Sequence, residues 1–209
     1  MGQPDSRERI LAAATTLFAE RGYGATTTRA IAEAAGLNIA TMAYHVGAKA
    51  DLYREVMLRA HRAQQQVVSE ALGDLGRTGS DPIRARDALV RFTDAYLDFS
   101  VESPHVPALW LRRWLSDGVA DEEVEARYAR PLATTTTSVV RDVLDRAGIG
   151  GGVDVDLLVW TIVWTCHSFC RAGVLDEGGK RHGPEDPAVL ARFRAHLHQV
   201  VSAVVGVPG

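Results

Sequence analysis

Apolar positions along this chain fall at steps of three and four, and the breaks between them predict nine helices. The first starts after Asp5 or Ser6, sets Ile10, Ala14, Leu17 and Phe18 on one face, and ends where Gly22 follows Arg21. Ile31, Ala34 and Ala35 mark a second helix behind Thr27 or Thr28, whose hydroxyl can accept an otherwise orphaned backbone N–H. Gly36 stops it, because a residue without Cβ takes the left-handed conformation of a sharp exit. Asn38 caps a third over residues 39–46, too short and too apolar to stand without neighbours. From Lys49 a long fourth helix carries Leu52, Val56, Ala60, Ala63, Val67 and Ala71 in one stripe.

Beyond a Gly-rich break at residues 73–80, Pro82 can open a fifth helix without sacrificing a hydrogen bond, and Leu89, Phe92, Tyr96, Leu97 and Phe99 lie along it. The prolines at 104 and 107 interrupt the pattern before a short aromatic sixth helix with Leu109, Trp110, Leu111, Trp114 and Leu115, ending at Gly118. A seventh is predicted over 121–147, bent near Pro131 and weakened by the run of threonines at 134–137. The eighth, from Val153 or Asp154 to about Gly173, is apolar most of the way round and must be buried on several sides. Residues 176–187 read as a loop, and a ninth helix follows it. With no strand pattern and no internal repeat, the fold class is all-α.

Two helices joined by a short Gly-containing turn form a helix-turn-helix, whose second member fits a DNA major groove about 12 Å wide. Residues 39–46 would present Ile39, Ala40, Thr41, Tyr44 and His45 to DNA, with Thr27, Thr28, Arg29, Asn38 and Lys49 around them. The run Ile31-Ala32-Glu33-Ala34-Ala35-Gly36-Leu37, then Thr41-Met42, Tyr44-His45-Val46 and Lys49, resembles the signature of the TetR family of transcriptional regulators. Upstream, Arg9-Ile10-Leu11, Ala14, Leu17-Phe18 and Gly22-Tyr23 extend the resemblance over roughly the first quarter of the chain. Many members carry Tyr where this chain has Ala43; either Tyr44 or His45 takes over that phosphate contact, or the operator contact differs. The resemblance implies a DNA-binding domain at 1–50, a helical regulatory and dimerisation domain at 51–209, a homodimer on double-stranded DNA, and release when a small molecule binds.

Composition permits that reading. A net charge of −3 argues against a broad nucleic-acid surface, and residues 1–50 hold five basic side chains against four acidic, so DNA contacts must be locally arranged. No apolar run is long enough to span a membrane and no signal peptide opens the chain, so the expected location is the cytoplasm. Met1-Gly2 with Ser6 matches the spacing of an N-myristoylation site, a pattern short enough to arise by chance.

Catalytic motifs are missing: there is no Gly-rich phosphate loop, no Gly-x-Ser-x-Gly and no His-Glu-x-x-His, so neither enzyme activity nor a cofactor is expected. Cys166, His167 and Cys170 could share a metal with His182, His196 or His198, but thiols in so apolar a helix are better read as packing. Phe92, Tyr96, Trp110, Trp114, Trp164 and His167 are the candidates to line a cavity for a planar or amphipathic organic effector; no basic cluster suits a nucleotide phosphate. Leu158, Val189, Phe193, Leu197, Val200, Val201 and Val204 are the candidates for a dimer interface. The competing reading is a helical enzyme or interaction scaffold that has kept the head without its DNA role.

Overall fold

The computed structural model describes residues 5–115 and 124–206. Met1, Gly2, Gly118 and Asp121, which the sequence reading used for a modification site and two helix ends, lie outside them. Among the described residues there are nine α-helices, α1 (Ser6–Ala25), α2 (Thr28–Ala34), α3 (Ile39–Val46), α4 (Lys49–Gly76), α5 (Pro82–Glu102), α6 (His105–Leu115), α7 (Arg130–Ala147), α8 (Val155–Ala172) and α9 (Pro187–Val205). None of them is long and apolar enough to cross a membrane.

Most boundaries follow local chemistry. Regular α1 geometry breaks at Gly22, whose φ of 81° suits only glycine, and the Thr26 hydroxyl donates to the Gly22 carbonyl at 2.7 Å just beyond. Asp81, Asp154 and Asp186 each cap a helix by accepting backbone N–H groups from the first turn. Two expectations needed correction. The fourth helix runs through Gly73 to Gly76, because Leu72 and Leu75 are buried and their packing outweighs the local cost of a helical glycine. The loop after α8 contains an antiparallel pair, β1 (Val174–Leu175) with β2 (Arg181–His182), where no strand was expected. Two residues per strand leave no alternation to read, and the hairpin is held by its turn: Asp176 accepts from Lys180 N at 2.8 Å and contacts His182 Nε2 at 3.0 Å.

Next to Pro131, where a bend was expected, a π-helical turn at Glu125–Ala129 leads straight into α7. Proline lacks an N–H, so the backbone just before it cannot continue an ordinary α-helical ladder, and a widened turn absorbs the mismatch.

Buried side chains divide into two cores. One joins α4's second half to α5, α7, α8 and α9 through Leu75, Leu89, Phe92, Ile162 and Val201. The other packs Ile10, Phe18, Ile31, Met42, Tyr53 and Met57 of α1 to α4, and α6 contributes Leu109 and Trp110 to it. The head's hydrophobic core therefore extends past residue 50 and includes a helix from the second half of the chain.

Candidate DNA-reading head and effector chamber

The head is assembled around the turn between α2 and α3. Gly36 has φ +66°, Gly36 N donates to the Glu33 carbonyl at 3.0 Å and Leu37 N to the Ala32 carbonyl at 2.9 Å, so the last carbonyls of α2 are satisfied while the chain reverses. Arg9 reaches from α1 to the carbonyls of Ala35 and Gly36, which fixes the turn against the bracing helix. Asn38 accepts from Thr41 N at 2.7 Å and starts α3. Only Met42 of α3 is fully buried, and it anchors the helix to the core while the other side chains remain available.

The sequence-predicted DNA residues lie along one edge of this unit but are not equivalent. Ile39, Ala40 and Tyr44 are exposed, Tyr44 at 88%, and Thr41 and His45 are half-buried. Thr27 and Asn38 act as helix caps through their side-chain oxygens. Thr28 is the half-buried first residue of α2, and Arg29 pairs with Glu33 at 2.9 Å in solvent. Lys49 is the most committed: its ammonium donates to the carbonyls of Tyr23 and Thr26, both at 2.8 Å, and lies 4.2 Å from the centre of the Tyr23 ring. A lysine ammonium has three N–H groups, so one donor remains.

The second site lies where the two cores meet. A cavity of about 50 Å³ is lined by Val68, Phe92, Tyr96, Trp110, Trp114 and Trp160 among others. Phe92 and Tyr96 belong to one core and Trp110 to the other. Trp114 stacks on Trp110 at 5.9 Å and on His167 at 5.5 Å, and meets Trp160 edge-on at 5.5 Å. A cleft of about 320 Å³ shares Trp114, Ala129, Ala133 and Trp160 as a common wall. Moving the Trp114 or Trp160 ring would join these spaces into a volume suited to an organic ligand of roughly 300 Å³ or more.

Four of the six predicted lining residues, Phe92, Tyr96, Trp110 and Trp114, are brought together. Trp164 is not among them; it is 47% exposed on the outer face of α8. His167 sits behind the wall, fully buried, with Nε2 2.8 Å from the Tyr96 hydroxyl. Burial lowers its pKa to about 4, so the ring is neutral at pH 7. Gln64 Nε2 donates to the same Tyr96 oxygen at 2.8 Å, which leaves the tyrosine proton for His167. Sequence reasoning missed Gln64, since a glutamine on a long amphipathic helix reads as surface. It also left Trp160 out of the wall, because periodicity on an all-round apolar helix does not say which indole faces inward. Trp110 Nε1 and His167 Nδ1 are buried without a hydrogen-bond partner among the described residues.

The thiols take no part in this site. Burial pushes the Cys166 thiol well above its ordinary value and that of Cys170 to about 11, so neither presents a reactive thiolate. Among the described residues no group of three metal-ligating side chains forms, so the Cys166, His167 and Cys170 candidate is not completed by His182, His196 or His198.

The candidate dimer residues also divide. Leu158, Leu197 and Val201 are buried at 4% exposure or less inside their own subunit and cannot face a second one. Phe193 is half-buried and stacks face to face on Phe169 at 3.9 Å. Val189 and Val200 are half-buried, and Val204 is exposed. On α8 the outward apolar positions are Leu157 and Trp164, neither of them the predicted Leu158.

Residues 10–56 match the family model for bacterial regulatory proteins of the tetR family. Comparison with curated proteins gives no significant match. Among solved structures, a tetR-family regulatory protein from Rhodococcus RHA1 is 21% identical over 99% of this chain and 100% of its own, with a TM-score of 0.71. The TetR family transcriptional regulator PfmR of Thermus thermophilus is 24% identical over the full length of both chains, with a TM-score of 0.66. The ketosteroid transcriptional regulator KstR2 of Mycobacterium tuberculosis is 19% identical over 99% of this chain and 98% of its own, with a TM-score of 0.67. At these identities the structures share the fold, and the head carries the family's own sequence pattern. Residues 10–56 thus carry the sequence pattern of the tetR family's regulatory proteins, and over its whole length the chain has the fold of these TetR-family structures.

Proposed function

We propose that this regulator is a homodimeric repressor, released from a roughly palindromic operator when a small organic molecule occupies the chamber between its two cores. The observation that carries this reading is the double membership of α6: Trp110 is a wall of the cavity and a buried member of the head's core. A ligand that displaces Trp110 or Trp114 therefore moves a helix against which α1 is packed, and the head moves with it. Tenfold weaker DNA binding requires only about 1.4 kcal/mol of ligand preference for the displaced arrangement.

DNA reading is proposed for the exposed edge of α3, with Ile39, Ala40, Thr41, Tyr44 and His45 towards bases and sugars. Thr28, Arg29 and the remaining N–H of Lys49 would serve at the phosphates, while Thr27 and Asn38 present helix N-termini. The dimer is proposed to form through the outer faces of α8 and α9, with Leu157, Trp164, Val189, Phe193, Val200 and Val204 in contact with their symmetry mates. Exposed large apolar groups on these two helices support that choice, since they otherwise remain in water. Two heads would then meet successive major grooves about 34 to 36 Å apart, or a multiple of it.

The test is fluorescence anisotropy of labelled DNA from beside the protein's own gene, titrated with protein in the presence and absence of aromatic organic compounds. Saturable binding that one compound weakens at least tenfold supports the reading. Compounds that bind the protein and leave operator affinity unchanged would remove induction from it.

A further inference from the structure

We propose that the chamber accepts an uncharged, aromatic end of its effector and rejects a carboxylate at the same position. The proposal rests on the ligand-responsive reading above and narrows its chemistry. Among the described residues no charged side chain lines the cavity; its polar residues are Gln64, Tyr96, Thr136 and the indoles. Burying a carboxylate there without a cation would leave its desolvation uncompensated. In the adjoining cleft a carboxylate would meet Glu125 and Asp156 as well as Arg130.

The polar groups behind the wall are neutral too. Gln64, Tyr96 and His167 form one chain of hydrogen bonds, with His167 kept uncharged by burial and Tyr96 held far above its ordinary pKa for the same reason. Only one N–H of the half-buried Gln64 amide is committed to Tyr96, so this side chain offers a ligand its oxygen and a second N–H, and the Trp110 Nε1–H in the wall has no partner among the described residues. The Thr136 hydroxyl donates to the Leu132 carbonyl at 2.8 Å and can only accept from anything else. The chamber therefore offers a neutral ligand both acceptors and donors, a combination that a primary amide can satisfy. Aromatic character follows from the rings of Phe92, Trp110, Trp114 and Trp160 around the cavity, which offer faces and edges to a ligand ring.

Isothermal titration of the full-length protein with 2-naphthamide and 2-naphthoate at pH 7.5 separates charge from shape, since the two differ little in size. The amide should bind, and the carboxylate should be weaker by on the order of a hundredfold. Gln64→Lys, on a half-exposed helix position that tolerates a long side chain, should reverse the preference by supplying a cation. Ala133→Trp, which fills the common wall, should abolish amide binding and so locate it. Equal or tighter binding of the carboxylate to the wild type overturns the proposal while leaving an effector site in place, and binding of neither compound overturns it outright. If 2-naphthamide binds with the expected preference yet operator affinity does not change, the selectivity stands and the effector reading falls.

Discussion

Arg112 on α6 donates its Nε–H to the Ala19 carbonyl of α1 at 2.9 Å, and a second guanidinium nitrogen reaches the Glu20 carbonyl. Its neighbours in sequence, Trp110 and Trp114, form part of the chamber wall, so a single helix touches both the cavity and the bracing helix. Arg112→Ala removes charge-assisted hydrogen bonds to two backbone carbonyls of α1 and should cost about 1 to 2 kcal/mol of stability. On the proposed mechanism it should also reduce the factor by which an effector weakens DNA binding, with effector affinity for free protein little changed. Denaturant unfolding and paired anisotropy titrations measure these two effects; an unaltered coupling factor would take Arg112 out of the relay.

Tyr44 and Lys49 should behave differently although both stand at the DNA edge. Tyr44→Ala takes away a ring that is 88% exposed, so operator affinity should fall at least tenfold while the melting temperature stays within about a degree. Lys49→Met breaks the contacts to Tyr23 and Thr26 as well, and should lower both DNA affinity and head stability, the latter by about 1 to 2 kcal/mol. Thermal melts beside salt-dependent DNA titrations separate the roles. If the lysine contributes its third N–H to a phosphate, the slope of affinity against salt should flatten by about one unit per subunit.

His167 makes stability depend on pH with a definite sign. Its pKa is about 4 in the folded protein against an ordinary 6.5, so below pH 6.5 the unfolded chain takes up a proton that the native state refuses. Its contribution is fully present above 6.5 and is lost as pH falls towards 4, amounting to about 2 kcal/mol between pH 7 and 5. His61, also lowered by burial, adds in the same direction. Chemical denaturation at pH 7 and pH 5 should show a smaller loss in His167→Gln than in the wild type; equal losses would contradict the assignment.

Assembly can be tested with two valines three residues apart. Val204→Glu on the exposed side of α9 should yield a folded monomer that no longer binds the operator, whereas Val201→Glu, at a position 1% exposed in the subunit core, should fail to fold stably. Analytical ultracentrifugation and circular dichroism distinguish these results. A dimeric Val204→Glu protein with unchanged DNA binding would place the interface elsewhere.

Short-range chemistry along the chain determines most of the helices and the DNA-reading turn. Caps at Thr27 and Asn38, the left-handed Gly36 between them, the break at Gly22 and the stripe through Leu52 and Val56 are decided within a few residues of chain, so the sequence shows them directly. What packs against what is a different matter, because an apolar residue on a helix can satisfy the same periodicity by facing its own core, a cavity or another subunit. Only the tertiary structure could turn Trp164 outward and Trp160 to the chamber wall, bury Val201 within one subunit, and bring Gln64 to Tyr96 and His167 across 71 positions between the last two. It also committed the Lys49 ammonium to two carbonyls and placed α6 in the head's core, through contacts between segments whose separation along the chain leaves no periodic trace in either one.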